Sequence, residues 1–253
     1  MATDRELCWL RFCEGAFGVV CRGELPKPFL EAHYPLEYLV ATLNNSGGFY
    51  WPEFYVHEAR MQGGVIEAPC VNQSAAGATV CEKTIYLGLV FVKDLDYKTV
   101  EWICQAREEG GLFESLIDFT ERVPAGIEQV TTLVKVGAFR FTGKSKKELM
   151  WEAHLTIAKK TKKRSVEPKL FREQSKLFRF PDFYTAPLEE AYDQIELLGY
   201  PLCDPFLLLR RSPKGGILSA DLGDFVGQTV VSYGYLVTAK NTSTNGGDQM
   251  HFG

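Results

Sequence analysis

With 253 residues, 45% hydrophobic and 24% charged, the chain has ordinary globular proportions and enough length to bury cores without disulfides. No apolar run approaches the roughly 18 residues of a membrane-spanning helix. The opening Met1-Ala2-Thr3-Asp4-Arg5-Glu6 also carries acids where a secretory leader is positive, so the expectation is a cytoplasmic chain with no membrane partner. Its net charge of −4 hides a segregation: residues 144–179 hold twelve Lys or Arg against four Glu, leaving the remainder at −12. Such a segment either meets polyanions or acidic surfaces, or is a solvated linker extended by its own repulsion.

From Pro35, apolar residues recur at Leu36, Leu39, Val40 and Leu43, one face of a helix closed by Asn44-Asn45-Ser46-Gly47-Gly48. Pro52 opens a second helix through Met61, ended by Gly63-Gly64. A turn-rich stretch from Pro69 to Gly77 and an apolar run from Thr84 to Val92 lead into short helices. Tyr97 to Arg107 places Val100, Ile103 and Cys104 on one face; Ser115 to Arg122 does so with Leu116 and Phe119; Gly126 to Val136 does so with Ile127, Val130, Leu133 and Val134. Each buries little alone, so the spacing predicts helical hairpins packed as pairs of pairs.

Ser145-Lys146-Lys147-Glu148 is a capping box opening a helix through about Ala158. Beyond the basic stretch, Pro187 to Leu198 predicts a helix with Leu188, Ala191, Ile195 and Leu198 inward and Gly199 as its stop. The last segment is β-rich, with a strand over residues 229–237, a turn at Asn245-Gly246 and a return strand from Gln249 to Phe252. A lone hairpin is marginal, so these strands are expected to pair with a partner or with chain beyond Gly253. Cys8, Cys13, Cys21, Cys70, Cys81, Cys104 and Cys203 form no C-x-x-C pair of the kind a structural zinc site uses and read as reduced and buried. His33, His57, His154 and His251 show no metal spacing, and neither Gly215-Gly216 nor Gly246-Gly247 sits in a phosphate-loop frame.

Taken together and in order, several of these stretches resemble the bacterial DNA polymerase III alpha subunit. Phe29-Leu30-Glu31-Ala32-His33-Tyr34-Pro35-Leu36-Glu37-Tyr38, Gly47-Gly48-Phe49-Tyr50, Tyr55-Val56-His57-Glu58-Ala59-Arg60 and Ala68-Pro69-Cys70-Val71-Asn72-Gln73-Ser74 are similar to the end of its fingers region. Tyr86-Leu87-Gly88-Leu89, Phe113-Glu114-Ser115-Leu116-Ile117-Asp118-Phe119, Gly137-Ala138-Phe139-Arg140-Phe141-Thr142-Gly143-Lys144 and Leu197-Leu198-Gly199-Tyr200-Pro201-Leu202 are similar to its tandem helix-hairpin-helix module and the segment after that module. Tyr233-Gly234-Tyr235-Leu236-Val237 and Met250-His251-Phe252-Gly253 are similar to the opening hairpin of its OB-fold.

The resemblance implies a mostly α fold, with distal fingers over residues 1–80 and tandem helix-hairpin-helix over 81–143. It further implies a basic linker helix and clamp-binding segment over 144–186, a connector helix and loop over 187–225, and the start of an incomplete OB-fold over 226–253. The family's PHP domain and palm lie upstream of the matching region. No carboxylate cluster able to hold two metal ions stands out, so no catalytic residue, metal site or cofactor is expected, although the parent polymerase would use Mg. The family's lysine and histidine for the incoming nucleotide fall at Glu14 and Ala16, and a glutamate does not neutralise a triphosphate.

A helix-hairpin-helix holds DNA without reading sequence, because hairpin amides approach the phosphates and nearby Lys or Arg add charge. The first hairpin, Lys93-Asp94-Leu95-Asp96, has aspartates where the pattern has glycines, leaving Lys93 and Lys98 as candidate contacts of an otherwise structural turn. The second, Arg122-Val123-Pro124-Ala125-Gly126, keeps a glycine and an arginine, with Arg122 as candidate. Gln174-Ser175-Lys176-Leu177-Phe178 fits the clamp-docking pattern, with Leu177 and Phe178 filling an apolar pocket and Gln174 giving a directional hydrogen bond; an amphipathic turn in a Lys-rich loop is the other reading. Tyr233 and Tyr235 either stack bases beside Lys240 or sit in the core.

The resemblance thus implies a DNA- and clamp-binding portion of a replication polymerase, partnered by DNA, the sliding clamp and other replication subunits. A non-catalytic adaptor using only the clamp motif, or an enzyme such as a nuclease whose site is not visible in the sequence, are the other classes.

Overall fold

The computed structural model describes residues 27–45, 50–163, 186, 188–211, 214–234, 236, 240–243 and 249–252. It is mostly helical, as its apolar periodicities predict. Helices α1 (Lys27–His33) and α2 (Pro35–Asn44) meet at Pro35, which has no N–H to continue the first helix and a φ suited to opening the second. α3 (Pro52–Met61) starts on its own proline. Leu36, Leu39, Val40 and Leu43 of α2 pack with Tyr55, Val56 and Ala59 of α3 in a first apolar cluster.

That cluster is completed by a sheet the sequence did not reveal. Its strands β1 (Val65–Glu67), β2 (Thr79–Cys81) and β3 (Thr84–Tyr86) lie in the order β1-β3-β2, with Val65 level with Thr84 in a parallel pair and Thr79 level with Tyr86 in an antiparallel one. Three residues are too few for alternation to register, and the parallel pairing is set by distant chain. Asn44, at the end of α2, fixes β2 by donating to the Ala78 carbonyl at 2.8 Å and accepting from the Ala78 amide at 2.7 Å. Gly88 is required where the chain leaves the sheet: a Cβ there would lie 2.3 Å from the Gly77 backbone.

The second, larger cluster is built from hairpins. A 3-10 turn at Leu89–Phe91 precedes α4 (Tyr97–Gly110); α5 (Leu116–Arg122) and α6 (Ile127–Lys135) form the next pair; α7 (Lys146–Lys163) buttresses both. Val100, Ile103, Leu116, Phe119, Val130, Leu133 and Val134 are all buried, as expected, while Cys104 and Ile127 are half-buried at its edge. Phe113, Phe119 and Phe139 form an edge-on chain, with centroids 5.1 and 4.9 Å apart. Ser145 and Glu148 close the predicted capping box: the Ser145 amide donates to Glu148 Oε2 at 2.8 Å and the Glu148 amide to Ser145 Oγ at 3.3 Å. The Ser145 amide first, and then the Ser145 hydroxyl donating to the same Oε2 at 2.9 Å, hold the Glu148 carboxyl below the usual glutamate range.

Three expectations are corrected. α8 (Glu189–Leu198), closed by Gly199 at φ +92°, buries Ala191, Gln194 and Leu197, whereas Ile195 is exposed. The inward stripe shifts because Gln194 turns in to accept the Leu202 amide at 2.8 Å. The outgoing strand of the final hairpin is β4 (Lys240–Ser243), antiparallel to β5 (Gln249–Phe252), while residues 229–234 run without regular strand structure. That segment instead donates and accepts singly, Ile217 N–H to Val231 O and Ser232 Oγ to Ile217 O. Among the described cysteines, all free, only Cys70 is buried; burial nonetheless pushes the Cys104 thiol up, opposed by Arg107.

Candidate nucleic-acid interface

The first hairpin keeps its shape without glycine. Asp94 takes a left-handed conformation, φ +61°, which aspartate tolerates better than most residues. Three of the turn's four amides go to protein acceptors: Lys93 N–H donates to the Leu197 carbonyl at 2.8 Å, Leu95 N–H to Val92 O at 3.4 Å, and Asp96 N–H to Gln129 Oε1 at 2.8 Å. Gln129 Nε2 returns a bond to Asp94 O at 3.0 Å. The side chains of Lys93, Asp94, Asp96 and Lys98 are all exposed, so two lysines share this surface with two carboxylates.

The second hairpin is open. Val123 N–H closes α5 on Phe119 O, and Val130 N–H is the first amide of α6 to find an acceptor, at Gly126 O. The amides of Gly126, Ile127, Glu128 and Gln129 therefore have no acceptor among the described residues, the ordinary state of a helix start, and carry its positive dipole end. Gly126 is exposed, and a Cβ built on it meets nothing within 4 Å. Glu128 is the one acid in this first turn.

Arg122 points the other way. Its guanidinium donates to Gly111 O at 2.7 Å, to Leu112 O at 3.4 Å, to Asp118 Oδ2 at 3.2 Å and to Ala106 O, and lies 4.3 Å from the Phe113 ring centre. It satisfies carbonyls at the α4 C-terminus, where a cation is favoured. Asn72 works beside it, donating to Phe113 O at 2.9 Å and accepting from Phe113 N–H at 2.8 Å.

The segregated charge is partly recombined in space. Lys146 meets Asp193 at 2.7 Å, Lys147 meets Glu189 at 3.3 Å and Lys135 meets Glu196 at 3.5 Å, so α8 lays its acids along α6 and α7; Lys144 pairs with Glu152 at 2.8 Å. The Glu189 carboxyl is held below its usual range first by the Ala186 amide and then by Lys147 and Lys146. Tyr233 is half-exposed and its ring lies over Gly216. Lys240 begins β4 level with Phe252. Glu14, Ala16, Gln174, Leu177, Phe178 and Tyr235 lie outside the described residues.

Among the described residues no three His, Cys, Asp or Glu are grouped to hold a metal ion, and no helix is long and apolar enough to cross a membrane. His57 lies 3.5 Å from Glu53 within α3.

A family model described as helix-hairpin-helix motif matches residues 63–149, from before β1 through the start of α7. The chain is 29% identical over 247 residues to a DNA polymerase III subunit alpha of Treponema pallidum and 28% over 231 residues to that of Aquifex aeolicus, matches covering 89% and 88% of it. Over most of its length the chain is thus similar in sequence to DNA polymerase III alpha subunits. An error-prone DNA polymerase of Mycobacterium tuberculosis is 36% identical over 129 residues, covering 49% of the chain. The alpha-like stretch spans 21% and 19% of the two subunits and 12% of the mycobacterial relative.

Sequence reasoning missed Gln129, Gln194 and the acids of α8. Gln129 carries a partial signal, since glutamine three residues after a helix-capping position usually reaches back to its own cap. Here it reaches a turn more than thirty residues upstream, which local pattern does not encode.

Proposed function

We propose that this chain is a duplex-gripping portion of an alpha-subunit-like replication polymerase and that the second hairpin is the element that meets phosphate. The observation that carries this reading is the open start of α6, where Gly126 leaves the approach clear and four adjacent amides lack acceptors among the described residues. Anions settle on such ends through N–H donation and the helix dipole. Arg122 then serves as a strut of this hairpin, and Lys93 and Lys98 add long-range attraction, diluted by Asp94 and Asp96. Binding should be indifferent to sequence and fall steeply with salt. Electrophoretic shift of two unrelated duplexes at low salt tests this; no shift of either would contradict it.

The remaining assignments belong to the same reading. Gln174, Leu177 and Phe178 dock the sliding clamp from the basic stretch, tested by clamp affinity after changing Leu177 and Phe178 to alanine. The final hairpin opens an OB-fold in which Tyr233, Tyr235 and Lys240 meet single-stranded DNA. Polymerisation, with its Mg, belongs to a palm elsewhere in a cytoplasmic replication assembly. The five divisions inferred from the resemblance stand as its working domain map.

The closed amides and paired aspartates of the first hairpin favour one alternative, a non-catalytic adaptor that uses only the clamp motif. Clamp binding without DNA binding distinguishes it.

A further inference from the structure

We propose that Gln129 is a positioning residue that makes the two hairpins one rigid unit and thereby sets the angle of the phosphate-facing start of α6. The inference rests on the reading that the second hairpin meets phosphate. Gln129 stands at the junction in a double sense. Its backbone amide is one of the four without an acceptor at the start of α6, and its side-chain amide is committed in both directions to the first hairpin, accepting from Asp96 N–H at 2.8 Å and donating to Asp94 O at 3.0 Å.

A carboxamide matched to a backbone donor and acceptor fixes position and rotation together, because both bonds are satisfied at one orientation only. The chain uses the same clasp twice elsewhere, Asn44 on Ala78 and Asn72 on Phe113, each time joining segments distant in sequence. At the first hairpin it also accounts for the tolerated backbone. Asp94 sits at φ +61° without glycine, and the Gln129 clasp on one side and the Lys93 to Leu197 bond on the other hold the turn from both ends. The aspartate-substituted hairpin is thus a joint that aims its neighbour.

The test uses the full chain with Gln129→Met, which preserves side-chain length and helix propensity while deleting both bonds, and Gln129→Glu, which keeps an acceptor for Asp96 N–H but repels Asp94 O. Amide hydrogen exchange at Asp96 and affinity for a labelled duplex across a salt series are measured. In Gln129→Met the Asp96 amide should exchange roughly tenfold faster and duplex affinity should fall roughly fivefold, on the usual net worth of two neutral hydrogen bonds. The salt slope should stay unchanged, because no phosphate contact is deleted. In Gln129→Glu the Asp96 amide should exchange at an intermediate rate, while duplex affinity should fall at least as far as in Gln129→Met, because the new carboxylate stands in the first turn of α6.

Faster exchange with unaltered affinity would overturn the proposal, as would a salt slope reduced by about one phosphate. An unmodified chain that binds no duplex would instead sink the phosphate-gripping reading beneath it, a result distinguishable because it appears without any substitution.

Discussion

The turns that enter α4 and α6 lie side by side in one module, and their amides end in different states. In the first, Asp94 and Asp96 occupy the turn and its amides at Lys93, Leu95 and Asp96 go to protein acceptors. In the second, a Cβ on Gly126 would meet nothing within 4 Å, and the four amides at the start of α6 have no acceptor among the described residues. Adjacent turns of one module therefore need not serve one role. The first commits the amides of Lys93, Leu95 and Asp96 to internal joints, and the proposed phosphate contact falls to the second.

The comparison breaks most severely at Arg122, which serves the second hairpin from inside. Arg122→Ala removes donors to three backbone carbonyls and a contact with Phe113, and should cost about 3 kcal/mol in urea unfolding. An effect below about 1 kcal/mol would show that these acceptors are satisfied by water instead.

Placing in the second hairpin the residue the first already carries is the sharper test. Gly126→Asp is compatible with the backbone, φ −71°, and aspartate caps helices well, so melting should hold while duplex affinity falls at least about tenfold. The converse change, Asp94→Asn, should alter duplex affinity by less than about twofold, since the amides of Lys93, Leu95 and Asp96 are already used.

Between these in size lies the buttress. α7 packs on α5 and α6, and Glu148→Gln weakens the cap that starts it, by about 1 kcal/mol. Because the folded Glu148 carboxyl titrates below its ordinary range, its contribution is present above the unfolded value and lost as pH falls through the folded one. Thermal melts between about pH 5 and 3 should therefore show a steeper loss in the unmodified chain than in Glu148→Gln.

How much was legible in sequence depends on the range of the forces involved. Proline starts at Pro35 and Pro52, the Ser145–Glu148 box and the Gly199 stop are local, and the structure has each where it was expected. The apolar stripes of α2, α4, α5 and α6 were also readable, because helical period and burial coincide there. In α8 they do not, since a buried Gln194 displaces Ile195. The sheet of three-residue strands, the Gln129 clasp and the pairing of α8 acids with Lys135, Lys146 and Lys147 all depend on partners far along the chain. Charge counted by position suggested a freely basic segment, whereas Lys144, Lys146 and Lys147 at its start are each paired.

Fluorescence anisotropy of a labelled duplex, titrated with the unmodified chain and with the Gly126→Asp and Asp94→Asn variants over a salt series, is the decisive test of this division of labour. Salt-sensitive binding should survive the substitution in the first hairpin and collapse with the one in the second. Equal loss in both variants, or no binding by the unmodified chain at low salt, would contradict it.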